Sequence, residues 1–276
     1  MRRLAISTLL LTLAACSTGT GPEVGNRVGL GFQLARTSSA GALVSAGLLS
    51  PDGLPFVGAP PVITTTAAGL RITRDVDVIL ITKAQFVVRD VTLRSALATC
   101  ADDDDSASSV RAASNDDDDD CPMLRVGPFL VDMSVSGADG ARVAVPVPAG
   151  TYTALSLRLH KVTSSDSADT AFRQANPDFR EISVRLEGTY NGAPFVFVND
   201  VNAKMDVPLA APLTIGTGGD EVTVSVDLST WFLRPQGGLY APALANVPGA
   251  VRAAVQNNIR SAFRAFRDRN RDGRED

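Results

Sequence analysis

The chain has 276 residues, with 45% hydrophobic and 5% aromatic side chains and a formal net charge of −4 at pH 7. This length accommodates one large all-β domain or two small ones, with a core built mainly from Val, Leu, Ile and Ala. The chain is acidic and has no broad basic face, which argues against a nucleic acid as its partner.

The N-terminal residues have the pattern of an export signal. Arg2 and Arg3 precede an apolar run over residues 4–13, which leads into Ala14, Ala15 and Cys16. A basic start, a roughly ten-residue apolar core and small residues at the cleavage site are typical of a secretory signal, whereas a membrane span needs about 20 apolar residues. We therefore expect a signal peptide over residues 1–15 and a flexible polar tether over residues 16–26.

Residues 13–16 resemble the lipobox of bacterial lipoproteins. This resemblance implies export, cleavage before Cys16 and lipid attachment to Cys16, which would make the membrane a partner of the protein. Ser17, in place of an Asp after the lipidated Cys, resembles signals that are sorted to the outer membrane of Gram-negative bacteria. The protein would then face the periplasm or the cell surface. The alternative is an ordinary signal peptide in which Cys16 occurs by chance.

Residues 27–247 have the pattern of a mainly β domain. Residues 37–68 are expected to be irregular, with a short helix near residues 40–49. A change of apolar parity at Asp90 predicts a bulge, and residues 164–177 predict a polar loop. Short strands with turns between them, including a hairpin at Asn191-Gly192, predict an antiparallel β-sandwich. Strands are expected over residues 27–36, 70–74, 76–82, 85–92, 124–126, 129–135, 142–148, 153–160, 182–190, 194–198 and 222–226.

Cys100 and Cys121 frame an acidic segment. In an exported protein, two remaining cysteines are expected to pair, and closing this loop would stabilise the fold by roughly 3 kcal/mol. Two free thiols are the alternative. The crowded carboxylates would repel one another, and Ca²⁺ would relieve that repulsion; the alternative is a solvated loop that binds nothing. The aspartates of this segment are Asp102, Asp103, Asp104, Asp105, Asp116, Asp117, Asp118, Asp119 and Asp120.

The C-terminal residues 248–276 change to a helical period. Apolar residues recur at three- and four-residue steps from Val251 to Phe266, which predicts an amphipathic helix over about residues 248–268. Residues 268–273 then match the opening D-x-N-x-D-G of an EF-hand-type calcium loop that follows a helix. The bidentate Glu of that motif is missing, and a solvated charged tail is the alternative. The candidate calcium ligands are Asp268, Asn270, Asp272 and Asp276.

Residues 145–159 read Val-Pro-Val-Pro-Ala-Gly-Thr-Tyr-Thr-Ala-Leu-Ser-Leu-Arg-Leu. This run resembles the core motif of a widespread, uncharacterised bacterial lipoprotein domain, thought to be transthyretin- or prealbumin-like. The match would cover about residues 70–230. The resemblance implies a β-sandwich in the cell envelope, and it implies no particular activity.

The sequence carries no GxSxG, P-loop or HExxH motif. His160, the only histidine, lies opposite the apolar face of its strand, which predicts a solvent-exposed residue rather than a catalytic base. We therefore expect a non-enzymatic envelope protein, a binding or structural module whose partner is an unidentified protein or glycan. Calcium-dependent recognition through the acidic segment or the tail is a second hypothesis, with Ca²⁺ as the only candidate cofactor. A hydrolase with two converging carboxylates is a third.

Overall fold

The structure, a computed structural model, describes residues 27–35, 59–95, 127–136, 142–146, 150–215 and 220–268. The fold of these residues is mainly β, as the sequence predicts, with three short helices: α1 (Ser167–Ala175), α2 (Pro242–Ala245) and α3 (Ala250–Ser261). None of the helices in these ranges is long and apolar enough to cross a membrane. The strands are β1 (Arg27–Leu34), β2 (Val62–Thr66), β3 (Gly69–Arg74), β4 (Asp77–Ser95), β5 (Phe129–Met133), β6 (Arg142–Pro146), β7 (Gly150–Leu159), β8 (Val184–Tyr190), β9 (Ala193–Asn199), β10 (Ala203–Ile215), β11 (Asp220–Val226) and β12 (Phe263–Arg267).

The strands form one mixed sheet in the order β2-β3-β4-β7-β10-β12-β11-β1-β6, to which β5 and β8 add by pairing with β4, and β9 by pairing with β8. Strands β1 and β11 run parallel, and β10 meets β12 in parallel at Leu209 and Ala265. The prediction of a purely antiparallel sheet is therefore wrong. No tight turn joins either of these pairs, so nothing local forces their strands to run in opposite directions.

Strand β4 organises the sheet, because it pairs with β3, β5, β7 and β8 along its 19 residues. The two strands that the sequence predicts over residues 76–82 and 85–92 are therefore one continuous strand. The predicted irregularity at Asp90 is confirmed, since the register with β7 shifts between Arg89 and Thr92 and Asp90 has a φ of 54°. The shift re-aims the side chains that follow, so Val91 and Leu93 are buried.

The main core forms where the sheet curls over on itself. Phe86 of β4 contacts Phe32 of β1 and Phe263 of β12 edge-on, with ring centroids 5.8 and 5.7 Å apart. These arrangements suit the quadrupoles of aromatic rings. The contacts bring the β1–β11–β12 part of the sheet against β4, and aliphatic residues fill the space between, as the composition predicts.

A second, smaller core lies beneath α1, where the sequence predicts a polar loop. Val87 and Val162 pack there with Phe172 and Phe179, whose rings meet edge-on at 6.4 Å. The loop prediction is wrong because α1 has a single apolar turn among polar residues, which leaves little periodic signal. Its start is fixed instead by Asp166, whose side chain accepts a hydrogen bond from the backbone of Asp169.

Three strands occur where the sequence predicts none. Strand β10 lies between the strands expected over residues 194–198 and 222–226. Strand β2 lies in the segment expected to be irregular; it does not alternate because nearly all of it is exposed. Strand β12 replaces the last turns of the predicted C-terminal helix, which ends at Ser261. Pairing with β11 outweighs the helical pattern there, burying Phe263 and Ala265 and exposing Arg264 between them. The helix expected near residues 40–49 lies outside the described residues.

Candidate functional site

Most of the site residues predicted from the sequence lie outside the described residues. Among the described residues, no group of three or more His, Cys, Asp or Glu side chains lies close enough to hold a metal ion. Asp268 is the one predicted ligand within them. The predicted residues outside are Cys16, Cys100, Cys121, Asn270, Asp272, Asp276 and the acidic series Asp102, Asp103, Asp104, Asp105, Asp116, Asp117, Asp118, Asp119 and Asp120.

Asp268 does not follow a helix, as the sequence predicts that it should. It follows strand β12 rather than a helix, and it is only 2% exposed. Its carboxylate accepts a hydrogen bond of 2.9 Å from the Thr223 hydroxyl, and its backbone N–H donates to the Glu221 carbonyl at 3.2 Å. Asp268 is therefore part of the fold on the β11 side, and the expectation that a helix leads into it is wrong. The calcium loop stays a prediction, because its other residues lie outside the described ranges.

His160 is buried, at 9% exposure, so the prediction of a solvent-exposed histidine is wrong. It comes directly after the last residue of β7, and its backbone N–H donates to the Val87 carbonyl at 3.0 Å. Parity along a strand predicts exposure only when a single face of that strand is covered. Helix α1 covers the other face at this end of β7, which is why a polar residue there is enclosed.

The His160 ring is bound to a fully buried carboxylate. Its Nε2 atom lies 2.8 and 3.0 Å from the two oxygens of Asp169, which is 0% exposed. The same carboxylate accepts a hydrogen bond of 2.7 Å from the Thr163 backbone and one of 3.2 Å from Arg89. Arg89 also donates to Asp166 at 2.5 Å. We call these five residues the Asp169 network.

The Asp169 network joins three parts of the chain: strand β4, the segment after β7, and helix α1. A His–Asp pair is two thirds of a hydrolytic triad, and a hydrolase would place a nucleophile on the histidine. The neighbouring hydroxyls bond elsewhere: Thr163 Oγ1 contacts Asp169 at 3.2 Å and Ser165 at 2.6 Å.

The electrostatics of Asp166 also favour a structural role. The hydrogen bond from the backbone N–H of Asp169 lowers the pKa of Asp166, although burial acts to raise it, and Arg89 lowers this pKa further. The network therefore fastens α1 over the second core.

A second polar cluster joins three turns at the start of β4. These are the β3–β4 turn at residues 75–76, the β8–β9 turn at residues 191–192, and the segment at residues 234–239. Asp77 accepts hydrogen bonds of 2.8 Å from the Leu239 backbone and from the Tyr190 hydroxyl. Asp75 accepts one of 2.7 Å from the Gly238 backbone. We call this assembly the turn cluster.

The turn cluster holds backbone conformations that L-residues rarely adopt. Asp75 and Asn191 have φ angles of 55° and 50°, and Gly238 has one of 70°. A side chain at Gly238 would be strained at this φ and would displace the Asp77 carboxylate, because its Cβ would lie 2.7 Å from a carboxylate oxygen. Beside these residues, Val76 is 89% exposed. A positive φ is usual for Asn in an Asn-Gly hairpin turn, whereas at Asp75 it is sparsely populated and is held by the surrounding contacts.

Asp77 is the centre of the turn cluster. Burial acts to raise its pKa, but the hydrogen bonds from Leu239, Tyr190 and Asn191, together with the charge of Arg234, outweigh burial and hold the pKa below its ordinary value. The Arg234 guanidinium also stacks over a tyrosine ring, that of Tyr240, 5.9 Å from the centroid. Asp75 and Asp77 were not predicted from the sequence; the Asn191-Gly192 turn, which was predicted, is the signal that points to this end of the sheet.

Comparison of the chain with known protein families, with characterised proteins and with solved structures finds no match. The function is therefore inferred from the geometry of the described residues.

Proposed function

We propose that the protein is a lipid-anchored β-sandwich of the cell envelope that acts by binding a partner protein, without catalysis. The observation that carries this proposal is the turn cluster. Three turns from distant parts of the chain are locked together by the carboxylates of Asp75 and Asp77, and they leave Val76 exposed. Turns fixed on a rigid sheet lose little entropy on binding, which is how many β domains recognise partners.

A protein is a better partner than a glycan for this surface. Val76 presents an apolar side chain at 89% exposure, and an aliphatic side chain gains most from burial against other apolar groups. The carboxylate of Asp77 is occupied by donors from within the turn cluster. It therefore serves to hold the surface in shape rather than to receive sugar hydroxyls.

The positions of the strands support presentation of the turn cluster away from the membrane. Strand β1 begins at Arg27, so the tether after Cys16 is about ten residues and reaches up to roughly 35 Å. The start of β1 lies beside Pro146. Strand β7 begins four residues further along the chain, and its Tyr152 pairs with Ser95, the last residue of β4. The turn cluster lies at the other end of β4, whose 19 residues would span about 60 Å if straight.

The use of the polar side chains supports binding rather than catalysis. The only histidine of the chain is committed to Asp169 beneath α1, and the nearby hydroxyls of Thr163 and Ser165 bond to that carboxylate and to each other. A hydrolase would need a nucleophile held against a base. In the Asp169 network the donors and acceptors instead connect elements of the fold.

The anchor is tested by fractionating cells that express the wild-type chain or Cys16→Ser. The wild type is expected in the membrane fraction, with an acyl mass on the peptide that begins at Cys16, and the variant is expected to lose both. Equal distribution of the two chains between membrane and soluble fractions would refute lipid anchoring.

The binding surface is tested by photo-crosslinking in intact cells. A crosslinking amino acid at position 76 is expected to capture a discrete protein, and Asp77→Ala in the same chain is expected to weaken that capture several-fold. The matched control is position 174, where Gln174 is exposed on α1. Crosslinks at position 76 that are no stronger than those at position 174 would rule out the turn cluster as the binding surface.

A further inference from the structure

Strand β2 is an open edge of the sheet. Among the strands that the structure describes, it pairs with β3 alone. Val62 is 65% exposed, and Thr64, Thr65 and Thr66 are exposed as well. An edge strand presents a row of backbone N–H and C=O groups, which can bond a further extended chain.

The composition of β2 does nothing to prevent such pairing. Its five residues, Val-Ile-Thr-Thr-Thr, are all β-branched, and no charged residue occurs between residues 59 and 70. Pro60 and Pro61 precede the strand and lie outside the five residues that would pair. Natural proteins usually protect an exposed edge with charged side chains, prolines or bulges. Residues that favour extended backbone, without charge or proline, instead make β2 a good template for another strand.

Strand β9 shows how this chain protects a different edge of the sheet. Among the described strands β9 pairs only with β8, and Asn246 covers its open side. The Asn246 amide donates to the Val196 carbonyl at 2.8 Å and accepts from the Val198 N–H at 2.8 Å. Pro194, two residues before Val196, has no N–H to offer on the same side. The contrast between β9 and β2 marks β2 as the edge left available.

We infer that β2 pairs antiparallel with β2 of a second copy of this chain. A two-fold axis through Thr64 places Val62 of one copy opposite Thr66 of the other, and Ile63 opposite Thr65. No like charges face each other in this register, and every side chain suits a pleated surface. The contact is isologous, because both copies contribute the same strand. Neither copy then has a free β2 edge, so the assembly stops at a dimer.

The area buried by this pairing is small, because five residues from each copy bury less than the roughly 1,200 Å² of a stable interface. We therefore expect the affinity of the contact to be low. It does not require the lipid anchor proposed above. Where chains are held in one membrane plane, however, their effective concentration rises, and a weak contact becomes populated. The dimer would join two sheets edge to edge, and each copy would keep its own turn cluster.

Cysteine crosslinking of the full-length chain tests both the pairing and its register. In Thr64→Cys the two sulfurs would face each other across the axis, with Cα atoms about 4.5–5.5 Å apart, which suits a disulfide. In Thr66→Cys the same atoms would be about 13 Å apart. We expect mild oxidant to produce Thr64→Cys dimers at least tenfold faster than Thr66→Cys dimers, and Val62→Cys mixed with Thr66→Cys to crosslink as fast as Thr64→Cys.

The wild-type chain controls for Cys16, Cys100 and Cys121, and Val196→Cys controls for random collision at the protected edge. Adding Thr65→Lys to Thr64→Cys is expected to suppress the crosslink, because it places charge on the edge. Repeating the series in a Cys16→Ser background at matched high concentration separates pairing from anchoring. Crosslinking of Thr64→Cys at the rate of Thr66→Cys or Val196→Cys would overturn the inference, whether or not the chain is lipidated.

Discussion

Replacing Asp169 with alanine should cost more stability than any other single change in the Asp169 network. The substitution removes the acceptor for His160, Arg89 and Thr163 at a site with 0% exposure, where water cannot take its place. A buried donor left without an acceptor costs about 1–3 kcal/mol, and removing one partner of a buried ion pair costs about 3–5 kcal/mol. Because the three donors share one carboxylate, these costs overlap, and we expect a loss of about 4 kcal/mol.

The measurement is urea unfolding of the purified chain followed by circular dichroism at pH 7. The matched control is Asp178→Ala, which changes an exposed aspartate just after α1 and should alter the unfolding free energy by less than about 0.5 kcal/mol. Asp169→Asn keeps one acceptor oxygen and should fall between the two. A loss below about 1 kcal/mol for Asp169→Ala would show that the network does not hold α1 in place.

Three further changes test other parts of the fold. The pKa of Asp77 is held below its ordinary value of 3.8, so its stabilisation is complete above that pH and is lost as pH falls through its lower folded pKa; Asp77→Asn should flatten this acid-side loss in urea titrations. Asn246→Ala should cost about 1–2 kcal/mol and speed hydrogen exchange at the Val198 amide. Burial raises the pKa of Asp227 against the hydrogen bonds from Ser229, so ionisation costs stability as pH rises. Asp227→Asn, which keeps an acceptor for Ser229, should gain stability relative to wild type as pH rises above the ordinary carboxyl pKa of 3.8, and calorimetry at a series of pH values measures this gain.

The local β features could be predicted from the sequence because their signals are local. Strand β7 alternates between apolar and polar residues from Leu155 to Leu159, and its three leucines are buried as that pattern predicts. The Asn191-Gly192 hairpin follows from two residues that tolerate positive φ, and both adopt it. The irregularity at Asp90 was visible as a change of apolar parity. In each case a few neighbouring residues carry the whole signal.

The enclosure of His160 could not be predicted, because it depends on contacts between distant segments. Parity along β7 gives the face on which His160 lies, but not whether that face is covered. The cover is α1, which has one buried apolar residue, Phe172, and begins at a cap formed by Asp166. The cap and the buried Phe172 were the available signals, and they are too short to separate a nine-residue helix from a loop.

The C-terminal region shows the opposite error, where a local signal was present and tertiary pairing overrode it. The three- and four-residue spacing continues through Phe263 and Phe266, yet the chain leaves the helix at Ala262. Strand β12 then fills the gap between β10 and β11 in the sheet. Without it the backbone groups of β10 and β11 would lack partners there, and the free-energy cost of leaving them unpaired exceeds the difference in helix propensity. Asp268 is buried as a direct result.

The turn cluster and the Asp169 network both depend on β4, and their energetic independence can be tested. Asp77 and Arg89 are twelve residues apart on that strand, a separation of about 40 Å if it were straight. Substitutions more than about 10 Å apart, with no shared partner, usually add to within about 0.5 kcal/mol. Asp77→Ala should cost about 2 kcal/mol, so its combination with Asp169→Ala should cost about 6 kcal/mol in urea unfolding. A shortfall of 1 kcal/mol or more in the double variant would mean that β4 transmits strain between the two sites. The same question can be asked of binding, by measuring crosslinking from position 76 in the Asp169→Asn chain. If β4 transmits strain, this crosslinking weakens; if the two sites are independent, it is unchanged.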